Sequence, residues 1–144
     1  MKEKISKLIQ HQLQAALLHE EVDNHVIAVS KRVAEAAKEL GDWDGQRYAV
    51  FGHYSWEIDI NDNGQGYVVA KWEDHWRYGG YDCGTFTYPV EFLWDETKIV
   101  EFEAECKAKL EAIAEAKLAK RKKDLEATRQ HVMEQLAKLA EETK

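Results

Sequence analysis

The 144 residues include 44% hydrophobic and 33% charged side chains and carry a formal net charge of −7. This composition is too apolar for a disordered chain and too charged for a membrane-spanning one. Three of the first five residues are charged and no apolar segment typical of a secretory signal follows them, and two cysteines make no disulfide framework. We therefore expect a single domain, residues 1–144, in the cytoplasm and without membrane contact.

The acidic excess is largest in the middle of the chain. Residues 46–94 contain seven acidic and three basic side chains, whereas residues 95–144 contain twelve and eleven. The one basic cluster lies between Lys117 and Lys123, and acidic residues border it. Because DNA-binding proteins need a basic face to replace counterions on phosphates, the charge argues against a nucleic-acid partner.

The N-terminal segment, residues 1–41, is predicted to be helical. Its apolar residues recur at intervals of three and four, as in Val22, Val26, Val29 and Val33, and all fifteen aromatic residues of the chain lie outside it. This spacing predicts one long or mildly broken helix, closed by Gly41 as the residue after its end. The alternative is a second helix capped by Asp23 and Asn24.

The middle segment, residues 46–94, is predicted to be an aromatic-rich antiparallel sheet. Residues 47–60 and 67–76 alternate between apolar and polar, and residues 61–66 contain the Asn-Gly pair typical of a hairpin turn. A third strand is expected from Thr85 to Tyr88, followed by a helical turn with Pro89 in its first position. Three strands with one apolar face need helical cover, so the predicted class is α+β with a β-meander.

The C-terminal segment, residues 95–144, is predicted to be a very long, coiled-coil-like helix capped by Asp95. A helix of this length spans roughly 65 Å, more than a small sheet can cover. Its outer half must then pack on the N-terminal helix, on a second copy or on a partner. We expect a homo-oligomer, most simply a dimer, whose seam contains Leu110, Ile113, Leu125, Val132, Leu136 and Leu139.

Aromatic and charged residues concentrate around the second predicted loop, next to Gly79 and Gly80. Three strands cannot bury every aromatic ring of the middle segment, and Tyr, Trp and Arg are enriched at binding hot spots. One interpretation is a purely structural aromatic core. The other is an exposed recognition edge for a protein partner, formed by Glu73, Asp74, Trp76, Arg77, Tyr78, Tyr81 and Asp82.

Catalytic and metal motifs are incomplete. Residues 59–64 match the head of a calcium loop, but the twelfth position is Ala70 instead of a bidentate Glu. Cys83 and Cys106 lack CxxC neighbours, and the spacing of Asp74, His75, Asp82 and Cys83 defines no catalytic triad. We assign no catalytic residue, metal ligand or cofactor, and a small hydrolase or metal enzyme is the third hypothesis.

Residues 72–82 and 86–94, followed by a charged helix, resemble small accessory proteins encoded by bacteriophages and prophages, and the resemblance covers about residues 66–110. It implies a bacterial host cell and a non-enzymatic protein that binds a host enzyme. The most concrete form is an inhibitor of a host defence nuclease, such as an anti-CRISPR protein acting on a CRISPR effector. The alternative is a nucleic-acid-associated structural protein that uses Lys117 to Lys123.

Overall fold

The structure is a computed structural model that describes residues 1–40, 52–75 and 77–143. These residues form a long helix, a three-stranded sheet, a short 3-10 turn and a second long helix. Their bounds are α1 (Lys2–Ala37), β1 (His53–Ile60), β2 (Gly66–His75), β3 (Tyr81–Pro89), the 3-10 turn (Val90–Leu93) and α2 (Glu96–Glu142). The predicted α+β class is confirmed: one long helix precedes the antiparallel sheet in the chain and another follows it.

Several predictions fall on residues outside the described ranges. They are the helix end at Gly41, the first part of the first alternating segment (residues 47–51) and the contribution of Trp76 to the recognition edge. In the described chain α1 ends at Ala37, four residues before Gly41, and the amide of Leu40 donates to the carbonyl of Ala37 at 3.0 Å.

The sheet is a meander in the order β1-β2-β3, and both pairs are antiparallel. The turn between β1 and β2 is the predicted Asn-Gly turn. The side-chain oxygen of Asn61 accepts hydrogen bonds from the amides of Asn63 (3.0 Å) and Gln65 (2.9 Å), and Gly64 has a φ of 76°. In a calcium loop the side-chain oxygen of Asn61 would contact the cation. Here it holds the turn instead.

β3 is longer than predicted, because it begins at Tyr81 and not at Thr85. Gly84, which lies just before the predicted start of the strand, is required by packing. A Cβ atom there would lie 2.7 Å from Nε1 of Trp72. Pro89 is also placed differently: it ends β3 and caps the 3-10 turn, and so does not occupy the first helical position.

The core lies between the second half of α1 and one face of the sheet. Val26, Val29 and Val33 are buried against Trp72 and Tyr88, with the remaining contributions from Ala34, Val68, Ala70, Phe86, Phe92 and Ile99. The Tyr88 hydroxyl lies 2.8 Å from Oγ of Ser30 and donates to the carbonyl of Val26 at 3.3 Å. Burial raises the pKa of Tyr88 to about 12, while the hydrogen bond with Ser30 opposes this rise.

The start of α2 is capped by Asp95 and is joined to α1 by the ion pairs of Arg32. The predicted cap is confirmed, since a carboxylate oxygen of Asp95 accepts from the amide of Thr97 at 3.1 Å. The Arg32 guanidinium donates to Glu96 at 2.5 Å and to Glu103 at 3.0 and 2.5 Å. These hydrogen bonds, above all those with Glu103, raise the pKa of Arg32 above its usual value.

The chain divides into two compact units, residues 1–106 and residues 107–144. The first unit contains α1, the sheet and the start of α2, including buried Cys106. The second unit is the remainder of α2. Neither of the two helices contains a stretch long and apolar enough to cross a membrane within the described chain.

Candidate partner-binding surface

The end of the β2–β3 hairpin extends beyond the hydrophobic core. Trp72 is the last residue of β2 in the core cluster, but β2 continues to His75, which pairs with Tyr81 at the start of β3. The turn between the strands contains Gly79 with a φ of 89°, a conformation that residues with a Cβ atom rarely adopt. The hairpin therefore carries its last residue pairs past the part of the sheet that α1 covers.

Six of the seven predicted partner-binding residues lie in this extension, and the seventh, Trp76, is outside the described residues. We call the six the acidic-aromatic edge: Glu73, Asp74, Arg77, Tyr78, Tyr81 and Asp82. They do not all share one face. Because strand residues alternate, Glu73 and Tyr81 point to the outer face of the sheet, and Asp74 and Asp82 point to the face that carries the core.

The two tyrosines of the acidic-aromatic edge are exposed. Tyr78 in the turn is 95% exposed and Tyr81 is 62% exposed, whereas Tyr88 on the same hairpin is buried. The Tyr81 ring lies 5.7 Å from the His75 ring, centroid to centroid, which limits the positions it can take. The predicted aromatic segment thus contains both a structural core and an exposed part, so the two interpretations apply to different residues.

The carboxylates of the acidic-aromatic edge are poorly compensated. Asp74 and Asp82 are direct cross-strand partners, and like charges in that position repel each other. No salt bridge of the described chain involves either of them, and Glu73 has only His75 at 3.5 Å. Such an arrangement attracts cationic groups, which can contact the carboxylates and stack on the exposed tyrosine rings.

The residues considered for catalysis are not brought together. His75 and Cys83 point to the outer face, while Asp74 and Asp82 point to the opposite one, so the four side chains form no common site. In the described ranges no group of three or more His, Cys, Asp or Glu side chains is arranged to hold a metal ion.

A shallow groove of about 440 Å³ crosses the outer face of the sheet next to the acidic-aromatic edge. One wall is the cross-strand row His53–Glu73–Cys83 and the other is the row Ser55–Lys71–Thr85. Sequence reasoning missed this feature, because alternation identifies which residues share a face but does not give the register that aligns them in rows.

The predicted oligomer seam lies on the exposed part of α2. Ile113, Leu125, Val132, Leu136 and Leu139 are between 40% and 62% exposed, and Leu110 is half-buried. An apolar side chain on a surface helix normally faces the core of its own protein. These side chains are exposed instead, so they are available to another surface.

A second exposed apolar region was not predicted. Ile5, Leu8, Leu13 and Leu17, in the first half of α1, are between 51% and 67% exposed. Near its end, Leu18, His19 and Val22 line a groove of about 330 Å³ with Trp56, whose indole donates to Asp23 at 2.7 Å. The apolar spacing of α1 continues along the helix on both sides of Val26, so the sequence does not indicate where the cover of this helix ends.

Comparisons with known proteins give no further identification: no protein-family profile matches the chain, and neither the curated proteins nor the solved structures contain a match.

Proposed function

We propose that this protein acts without catalysis by binding a protein partner through the acidic-aromatic edge. The observation that supports this most directly is the exposure of Tyr78 in the turn and of Tyr81 on the outer face, together with the uncompensated pair Asp74 and Asp82 on the opposite face of the same hairpin end. Tyrosine supplies a large contact area at a low entropy cost, which is why it dominates many binding surfaces. None of these four side chains is required to fill the core of the described chain.

The charge of the edge indicates the chemistry of the partner. Three carboxylates and one guanidinium leave a net negative surface on a segment that is itself acidic. The matching surface is basic, and proteins that bind nucleic acid expose such a surface to phosphates. The most specific form of the proposal is therefore a phage-encoded inhibitor that occupies the phosphate-binding surface of a host defence nuclease, such as a CRISPR effector, in the bacterial cytoplasm. The phage origin rests on the sequence resemblance alone.

The second part of the proposal is self-association. The exposed apolar residues of the seam, Leu125, Val132, Leu136 and Leu139 among them, favour a homodimer over an isolated chain.

The alternative function, a nucleic-acid-associated structural protein, has one observation in its favour. Every residue from Lys117 to Lys123 is exposed, and none of its five basic side chains takes part in a salt bridge of the described chain. A phosphate-binding surface predicts a gel shift with duplex DNA that weakens steeply with salt. Absence of a shift at low salt rejects this alternative.

Affinity capture with the full chain tests the partner-binding proposal. Immobilised protein is incubated with bacterial lysate, and the captured protein is identified and purified. We expect Tyr78→Ala and Tyr81→Ala each to weaken its binding about tenfold or more, as expected of hot-spot residues. The double variant Asp74→Asn with Asp82→Asn should also weaken partner binding, and the loss should be larger at low salt than at high salt.

The matched control is Trp94→Ala, since Trp94 is a comparably exposed aromatic residue (70%) outside the acidic-aromatic edge. It should leave binding unchanged. Nuclease cleavage assays with the purified partner then test inhibition. Equal binding by all variants, or capture only of proteins without a basic surface, contradicts the proposal.

A further inference from the structure

The exposed part of α2 carries an apolar repeat with a strict interval of seven. Leu118, Leu125, Val132 and Leu139 follow one another at that spacing, and each is at least 50% exposed. A seven-residue interval keeps side chains on one face of a helix that supercoils with another helix. The repeat is also symmetric: reversing the helix about the midpoint between residues 128 and 129 exchanges Leu118 with Leu139 and Leu125 with Val132.

Charge along the same helix is strongly asymmetric. Residues 117–123 contain five basic and no acidic side chains, whereas residues 134–142 contain three acidic side chains and one basic one. Paired helices lie about 8–10 Å apart, which is within the distance over which charges interact at physiological salt. A parallel pair would place the basic stretch against its own copy, but an antiparallel pair places it against the acidic stretch of the other chain.

The polar residues between the leucines point to the same orientation. Arg121, Thr128 and Gln135 lie three residues after successive members of the repeat and so border the same seam. In a parallel pair Arg121 would face Arg121 of the second copy across the seam. In the antiparallel pair Arg121 lies level with Leu136 of the second copy, next to its Gln135, and each Thr128 lies level with Arg129 of the other chain.

We propose that residues 117–142 pair with the same segment of a second copy in antiparallel orientation, centred between Thr128 and Arg129. The proposal rests on the self-association proposed above and adds its orientation and register. With four apolar layers and polar residues between them, the pairing is weak and salt-sensitive. Around the midpoint, Glu126 and Arg129, which are 3.9 Å apart within one chain, form a cluster of alternating charge with the same two residues of the second copy.

The first experiment measures dimerisation of the full chain by sedimentation equilibrium at about 50 and about 500 mM salt. Arg129→Glu places four carboxylates at the midpoint and Glu126→Arg places four guanidinium groups there, so each should weaken the dimer about tenfold or more at low salt. The charge-swapped double variant restores the alternating cluster and should dimerise like the original chain. Circular dichroism verifies that helix content is unchanged.

The second experiment tests orientation by disulfide formation in a Cys83→Ser background, which removes the exposed native thiol. Leu118→Cys alone should not cross-link, because the two cysteines of an antiparallel pair lie about 31 Å apart. A mixture of Leu118→Cys and Leu139→Cys chains should cross-link.

The outcomes separate the orientation from self-association itself. A dimer in which Leu118→Cys cross-links alone is parallel: it leaves the proposed self-association standing and overturns this inference. The inference is also overturned if the charge variants do not weaken the dimer and the mixed cysteine chains do not cross-link. The dimer then forms elsewhere, for example through the exposed half of α1. A monomer at about 100 μM, well above micromolar affinity, overturns both.

Discussion

Gly84 on β3 is the residue at which one methyl group should change stability most clearly. A Cβ atom there would lie 2.7 Å from Nε1 of Trp72 and 2.9 Å from its Cε2 and Cζ2 atoms. Contacts under 3.0 Å are essentially absent between a Cβ atom and its neighbours, so either the indole or the strand must move. Trp72 is 1% exposed and has the core on its other side, which leaves the ring little room to move.

The cost of Gly84→Ala follows from overpacking. Adding a methyl group to a filled core costs about 1–3 kcal/mol, and the contact with three atoms of a rigid ring favours the upper half of that range. We therefore expect the free energy of unfolding to fall by about 2 kcal/mol, which lowers Tm by about 6–10 °C in a chain of this size.

Tryptophan fluorescence during urea unfolding is the appropriate assay. All five Trp residues lie in the first unit, so the signal reports on the unit that contains Gly84 and is not affected by the remainder of α2. The control is the double variant Gly84→Ala with Trp72→Phe, since the smaller ring vacates the space that the new Cβ atom needs. A cost of Gly84→Ala below about 0.5 kcal/mol, or an equal cost in the Trp72→Phe background, would contradict the predicted overpacking against Trp72.

Two further predictions concern the contacts that hold α1 in place. The pKa of Tyr88 is about 12 in the folded protein against an ordinary 10. The stability that the neutral phenol contributes to the folded state is therefore complete below pH 10 and is lost as pH rises towards 12. The ionisation of Tyr88 should lower the free energy of unfolding by about 2–3 kcal/mol across that interval, so the fall should be smaller by that amount in Tyr88→Phe, when urea midpoints are measured at each pH. Arg32→Met should cost about 1 kcal/mol at low salt and less at high salt, because its ion pairs with Glu96 and Glu103 are partly exposed. A cost independent of salt would contradict the electrostatic origin.

The sequence predicted the elements whose signals are local. The alternation of β1 and β2, the Asn-Gly turn, the capping Asp95 and the absence of Gly and Pro from α2 each depend on residues close together in the chain. These signals were sufficient for the fold class. For the aromatic residues they left two interpretations open, since fifteen rings exceed what three strands can bury but this excess does not indicate which rings are exposed.

The remaining features depend on residues distant in the chain. β3 begins four residues before the predicted start because residues 81–84 pair with β2, and Gly84 leaves room there for the ring of Trp72, yet in the sequence a glycine at that position indicates a strand end. Likewise, no pattern within α1 indicates that burial begins only at Val26, since the apolar spacing continues on both sides of that point. Which half of a long amphipathic helix is covered depends on where the sheet lies, and this is a tertiary property.

The composition of the acidic-aromatic edge is itself an argument for binding. In the described chain the last core row of the hairpin contains Trp72 and Gly84, and the pairs after it contribute no core residue. Packing therefore does not dictate which residues occupy positions 74, 81 and 82. Two carboxylates opposite each other at positions 74 and 82 lower the stability of the isolated protein. A surface that costs the isolated protein some stability and fills no space in its core agrees with the proposed function, in which the partner compensates the charge. This explanation predicts that Asp74→Asn raises stability while weakening partner binding, and an increase in both would contradict it.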